Sequence, residues 1–200
     1  MPLALPLRTH RLIARDFTAS DFDAVHAYAS DPEVTRFMFY GPRPPAETRQ
    51  YLERMIAAQR LQPRAIWELA VVQAADGRLV GACDLTLEQP HEADLGFVFA
   101  RDVWGRGYAS EIACALVRAA FEELGVGRVF ATCDVANHAS ARVLEHAGLR
   151  RQARLDHHMF ARDTWWTSYL YALRHDEWRA AASCGIVSPS IGGDEGSEER

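Results

Sequence analysis

The seven residues Trp104-Gly105-Arg106-Gly107-Tyr108-Ala109-Ser110 stand between a strand-like run, ADLGFVFA, and a long apolar-faced stretch, EIACALVRAAFEELG. A strand that turns through Gly-x-Gly into a helix brings small residues and successive N–H groups to the helix N-terminus. With the dipole behind it, such an N-terminus is an anion-binding nest, and a pyrophosphate is the expected guest. The pattern is neither GxGxxG nor GxxxxGK[ST], so it marks neither a dinucleotide fold nor a P-loop. By itself, a Gly-x-Gly turn before a helix more often serves loop geometry alone.

The surrounding pattern alternates strands and helices between about residues 8 and 178. Leu7 to Arg15 reads as a strand, and Thr18 with Asp21 three residues on starts a helix that stops near Asp31-Pro32. A second helix follows Pro44-Pro45, with Tyr51, Leu52, Met55 and Ile56 on one face. IWELAVVQ and RLVGACDLTLE, joined at Asp76-Gly77, form an antiparallel hairpin. After the long helix come the strand RVFATCDV, the short helix SARVLEHAG and two last strands near 149–159 and 165–174. The predicted fold is α+β: a mixed, mostly antiparallel sheet of six or seven strands flanked by about four helices.

Composition narrows the function. At 200 residues, 48% hydrophobic and 24% charged, the chain suits one soluble domain that needs no disulfide or metal to fold. Residues 183–200 hold four acids and one arginine and read as a disordered acidic tail, leaving the body with only −2 of the net −5. A near-neutral body without a basic stripe excludes nucleic acid as main partner. No run approaches a membrane span, and the proline-broken N-terminus is no signal peptide. Cys83, Cys114, Cys133 and Cys184 are scattered without metal-ligand spacing, so they read as reduced thiols of a cytoplasmic protein with no metal site. All 22 basic residues are arginine, so no lysine amine is present to carry an acyl group.

A second constellation, Asn137-His138-Ala139-Ser140 followed by ARVLEHAGL, comes about thirty residues later and just beyond a strand end, where open sheets bind ligands. Plain capping of a helix by Asn137 or His138 is the competing role.

With DLGFV, WGRGYASE and NxxSxRVLExxGL in this order and spacing, the chain resembles the GNAT superfamily of acetyl-CoA-dependent N-acetyltransferases. Within it, the chain is similar to the branch that acetylates ribosomal-protein N-termini. The resemblance covers roughly 8–178, with THRLIAR, DPEVTRF, LVGACDL and SYLYALRHDEW also fitting. It implies a splayed fourth strand at Asp94–Ala100, whose backbone near Val98, Phe99 and Ala100 pairs with the pantetheine arm of acetyl-CoA. The loop Trp104, Gly105, Arg106, Gly107, Tyr108, Ala109 and Ser110 then receives the pyrophosphate, with Arg106 as a charge partner. Asn137 would bond the pantetheine side, and Ser140 would lie near the thiol.

Two positions depart from the family pattern. Trp104 stands where the superfamily has Gln or Arg, and Glu145 replaces the tyrosine that many members use to protonate the leaving thiolate. The resemblance therefore implies Ser140 as the thiolate's partner and Asp94 as the base that receives the amine's proton, acting through water. Asp94 as a mere strand anchor is equally open. Glu68, Asp84, His157 and His158 are rival bases. Phe37, Phe39, Tyr40, Trp165 and Trp166 would line an aromatic acceptor pocket, or pack in the core.

The implied reaction is acetyl transfer to a primary amine, a protein N-terminus or a small molecule, by direct attack, in a monomer or homodimer. The competing functions are an enzyme detoxifying an antibiotic or polyamine, and a catalytically silent acyl-CoA-binding module.

Overall fold

The computed structural model describes residues 3–89 and 91–183. In chain order its elements are β1 (Leu7–Arg8), β2 (Leu12–Asp16), α1 (Phe22–Ala29), α2 (Pro45–Ala58), β3 (Ile66–Gln73) and β4 (Leu79–Gln89). They continue with β5 (Glu92–Phe99), α3 (Tyr108–Glu122), β6 (Arg128–Asp134), α4 (His138–His146), β7 (Arg150–Ala161), β8 (Thr164–Arg174) and α5 (His175–Ser183). The strands form one mixed sheet in the order β1-β2-β3-β4-β5-β6-β8-β7, in which only β5 and β6 run parallel.

The fold is α+β, with one strand and one helix more than the upper expectation. The extra strand arises because Leu7–Arg15 folds back on itself: Thr9 N donates to Leu12 O at 2.9 Å, splitting the run into β1 and β2. The extra helix, α5, holds Glu177 at its third position, and that carboxylate accepts the N–H of Arg174 at 3.0 Å. This is half of a capping box. Trp178 then packs against Phe121, with ring centroids 5.3 Å apart. The tail assigned to 183–200 lies, apart from Ser183, outside the described residues, as does Cys184.

Period-two alternation sends each strand's side chains to two cores. Leu69 and Val71 of β3, Cys83 and Leu85 of β4 and Val129 of β6 meet Ile112 and Leu116 of α3 and Leu144 of α4 on one face. Ala70 and Ala82 face the other way, under Val25, Tyr28 and Leu52 of α1 and α2. This phase places the sheet's acidic residues, because Glu68, Asp84, Asp94 and Gly96 share the α1–α2 face. The register puts Glu68 beside Asp84, Asp84 beside Gly96, and Thr86 beside Asp94.

The α3 face is the larger core, and Leu116 is fully buried at its centre. Leu116→Ala should cost about 2–5 kcal/mol. At roughly 2–4 °C per kcal/mol, a thermal melt followed by circular dichroism should fall by about 4–20 °C.

Candidate active site

β5 and β6 pair only over Glu92–Asp94 and Arg128–Phe130. Beyond Asp94, β5 stays with β4 while β6 stays with β8, so the sheet opens into a wedge between them. Ala100 N donates to Val80 O at 2.8 Å, which fixes the hydrogen-bonding phase of β5. Backbone groups alternate sides along an antiparallel pair, so those of Val98 and Ala100 turn to β4. The groups that face the wedge are those of Leu95, Phe97 and Phe99. Of the three expected backbone partners, Phe99 therefore faces the wedge, Val98 and Ala100 turn to β4, and Phe97 joins Phe99. Phe99 O is already taken by the indole N–H of Trp104 at 2.8 Å.

The wedge leads to the Gly-x-Gly turn. Gly105 and Gly107 have φ of +74° and +78°, a region a side chain enters only with strain. Gly107 is the N-cap of α3, and no side chain caps this end. The first-turn amides of Tyr108, Ala109 and Ser110 therefore lack both intrahelical and side-chain partners. A latch on the reverse side fixes the loop. Arg11 Nη1 donates to Arg106 O at 2.9 Å, its guanidinium carbon lies 4.8 Å from the Tyr108 ring centre, and Nε pairs with Glu111 at 2.6 Å. Glu111 also accepts from Thr9 Oγ1 and Arg11 N, and these bonds outweigh its burial and hold its pKa below the usual range.

A cavity of about 840 Å³ runs from this loop along β5 to α4, lined by Phe97, Val98, Phe99, Trp104, Gly107 and Ser140 among others. Asn137 caps α4, its Oδ1 accepting Ser140 N at 3.1 Å. The capping role is thus filled by Asn137, and Ser140, at the third helical position, caps nothing. Both residues also line a second cavity of about 340 Å³, which shares Phe97 and Val98 with the first.

The smaller chamber has an acidic floor. Glu68, Asp84 and Asp94 project into it from three adjacent strands. A Cβ at Gly96 would collide with Asp84 Oδ1, so the absent side chain is what seats that carboxyl against β5. Burial, with Glu68 and Asp94 nearby, pushes the Asp84 pKa up to about 8. Burial raises Asp94 to about 6, opposed by a backbone hydrogen bond at Leu95 and reinforced by Glu88. Burial also raises Glu68, against the hydrogen bond it accepts from Tyr51 Oη and the charges of Arg43 and Arg54. Two neighbouring carboxyls are thereby set to different protonation states at neutral pH, one neutral and one charged.

Phe37, Phe39, Tyr40 and Trp166 line the chamber's sides, with Phe39 edge-on to Trp166 at 5.4 Å. The remaining expected residues fall elsewhere. Trp165 is exposed and stacks edge-on with Phe160 at the tip of the β7–β8 hairpin. His157 and His158 lie on β7, where His158 Nδ1 contacts Trp166 O; neither lines either of these two cavities. The Arg106 side chain and Ala100 also line neither cavity. Tyr51 and Arg43, which no sequence motif marks as site residues, are brought in by α2 and the loop before it. Glu145 lines the larger cavity and accepts from Tyr171 Oη at 3.4 Å.

A wedge between parallel strands, a helix N-terminus with no side-chain cap and a carboxyl-floored chamber thus converge at one place in this α+β fold. Comparison with known proteins agrees. The family model for the acetyltransferase (GNAT) domain matches residues 11–150, and the chain belongs to this family of N-acetyltransferases. It is 27% identical over 173 residues to YnaD of Bacillus subtilis, described as an uncharacterized N-acetyltransferase, covering 86% of this chain and 98% of that one. The crystal structure of a GNAT-family acetyltransferase from Bacillus anthracis superposes with a TM-score of 0.77 at 29% identity, covering 86% of this chain and 99% of the other. The spermidine N-acetyltransferase of Vibrio cholerae, solved with CoA and spermine, shares the fold at 16% identity and TM-score 0.72, covering 86% and 99% of the two chains. RimL, the ribosomal L7/L12 α-N-acetyltransferase solved with CoA, does so at 16% and 0.73, covering 85% and 97%. No helix among the described residues is long and apolar enough to cross a membrane.

The raised pKa of Asp84 makes a stability prediction. The folded protein holds a proton that the unfolded chain releases near the ordinary carboxyl value of 3.8. Stability is therefore lost as pH rises from about 4 through about 8. Asp84→Asn removes this dependence. Its melting temperature should exceed wild type most at pH 9, with the gap narrowing towards pH 5.

Proposed function

We propose that the protein transfers the acetyl group of acetyl-CoA to the primary amine of a small molecule by direct attack. The observation that carries this reading is the meeting of the two cavities at Phe97, Val98, Asn137 and Ser140, with the carboxyl floor on one side only.

The chain fits the cosubstrate at each point. The first-turn amides of α3 would receive its pyrophosphate. The wedge-facing groups of Phe97 and the N–H of Phe99 would pair with its pantetheine amides, and the Nδ2 of Asn137 stays free to join them while Oδ1 caps α4. Acetyl-CoA itself supplies an activated thioester. The protein's part is to align, to take a proton and to stabilise developing charge. Asp94, largely ionised above pH 6, accepts the attacking amine's proton through water. Asp84, neutral below about pH 8, adds no charge to compete with Asp94 and can donate to the same water. Ser140 lies where the two cavities meet, and its O–H donates to the departing thiolate. Glu145, paired with Tyr171, is not required for this.

The chamber's modest volume favours a small amine over a folded protein's N-terminus, and the ribosomal-protein reading rests on resemblance alone. The acidic floor does favour one further reading, a polyamine acceptor like that of the Vibrio cholerae enzyme.

Two substitutions test the assignment. Asp94→Asn should lower kcat by ~10²–10⁴-fold and leave the calorimetric Kd for acetyl-CoA within about twofold. The wild-type kcat/KM should rise with pH through about 6, the Asp94 value, because the base works only when deprotonated. Ser140→Ala should cut kcat by about 10–100-fold at saturating acetyl-CoA, the worth of one charge-assisted hydrogen bond. Its melting temperature should hold, since Asn137 is the cap. Full activity in either variant would return that residue to a structural role.

A further inference from the structure

Among the described residues that line the chamber, Arg43 is the one cation, and its setting differs from that of a simple counter-ion. Its guanidinium carbon lies 3.7 Å from the Tyr40 ring centre and 4.2 Å from that of Tyr51, so two aromatic rings hold it. It faces Glu68 electrostatically. Among the described residues, however, that carboxylate is engaged by Tyr51 Oη, and Arg43 forms no ion pair or side-chain hydrogen bond. A guanidinium held by ring faces keeps its N–H edge, the part that recognises carboxylates in a fork, unused. Arg54 adds only its distant charge to Glu68, and the remaining ionisable groups lining the chamber are Tyr40, Cys133 and Asp134. The chamber is thus dipolar, with carboxyls on the sheet floor and a ready guanidinium on the wall formed by the loop before α2.

We infer that the acceptor is zwitterionic: a small primary amine that also carries a carboxylate, such as a free amino acid. This rests on the acetyl-transfer reading above. The amine would sit over Asp84 and Asp94, beside the thioester's seat, and the carboxylate would take the free edge of Arg43. A polyamine has no group for Arg43 and would place a second cation against it. An amino acid has a partner for both ends, and it leaves the chamber's charge unchanged on entry.

The experiment compares matched acceptors by thiol release from acetyl-CoA. Each free amino acid is set against its amide and its decarboxylated amine, for instance methionine, methioninamide and 3-(methylthio)propylamine, with spermidine alongside. The best amino acid should exceed its amide in kcat/KM by about 10–100-fold, the worth of a charge-assisted pair. Arg43→Gln should bring that ratio towards one, and Arg43→Lys should keep part of it. Amides, decarboxylated amines or spermidine used as well as the acids would overturn the inference while leaving acetyl transfer standing. So would an unchanged ratio in Arg43→Gln. If no acceptor releases thiol, saturation-transfer NMR of the same acids with the CoA-loaded protein decides. Binding of an acid but not its amide upholds the zwitterion and overturns the transfer reading; no binding overturns both.

Discussion

The parting of β5 from β6 after three residue pairs is the constraint on which the site depends. A sheet interior normally pairs every N–H and C=O, because a buried unpaired group costs about as much as a lost hydrogen bond. Here β5 is committed to β4 and β6 to β8, so β5 offers one edge of free backbone in the middle of the sheet. An extended, amide-bearing arm can supply the missing pairing. The wedge also aims β5 at the Gly-x-Gly turn, and α4 closes it from the far side. Arg11, Glu111 and Thr9 tie the turn and the start of α3 to the β1–β2 connection.

The acidic floor is the second commitment, and it runs against stability. Carboxyls directly opposite one another on neighbouring strands repel, and burial raises the cost of their charge. The Glu68–Asp84 pair survives because Asp84 holds its proton and Glu68 accepts one hydrogen bond from Tyr51. Such an arrangement serves no packing purpose: Ala70 and Ala82, one step along the same face, show how the fold fills that layer when only packing is at stake. Function is the simpler cause, and a cationic group in the chamber would offset the repulsion.

Local signals made much of this legible. The Gly-x-Gly turn, the apolar stripe of α3, the Asp76-Gly77 hairpin and the Asn137 cap each depend on a few adjacent residues, and each lies where the pattern put it. What required pairing was less accessible. Alternation along ADLGFVFA shows that Asp94 and Gly96 share a face, but not which backbone edge meets β4. Only the Ala100–Val80 bond settles that phase, and it shifts the wedge-facing groups to Phe97 and Phe99. Glu68 and Asp84, sixteen residues apart, become neighbours through the β3–β4 register, so either one alone looks like a solvated strand residue. Arg43 lies within a proline-rich loop with no periodicity at all, and its place between two tyrosines is purely tertiary. The split of Leu7–Arg15 likewise turns on one residue pair, Thr9 and Leu12, joined through both backbone and the Thr9 hydroxyl.

A crystal structure with CoA is the most direct test of the wedge as the seat of transfer. The pyrophosphate should lie on the amides of residues 108–110, the pantetheine amides should pair with the backbone of Phe97, and the sulfur should end beside Ser140 at the mouth of the carboxyl-floored chamber. A CoA bound with its arm outside the gap between β5 and β6, or with its sulfur remote from Ser140, would contradict it.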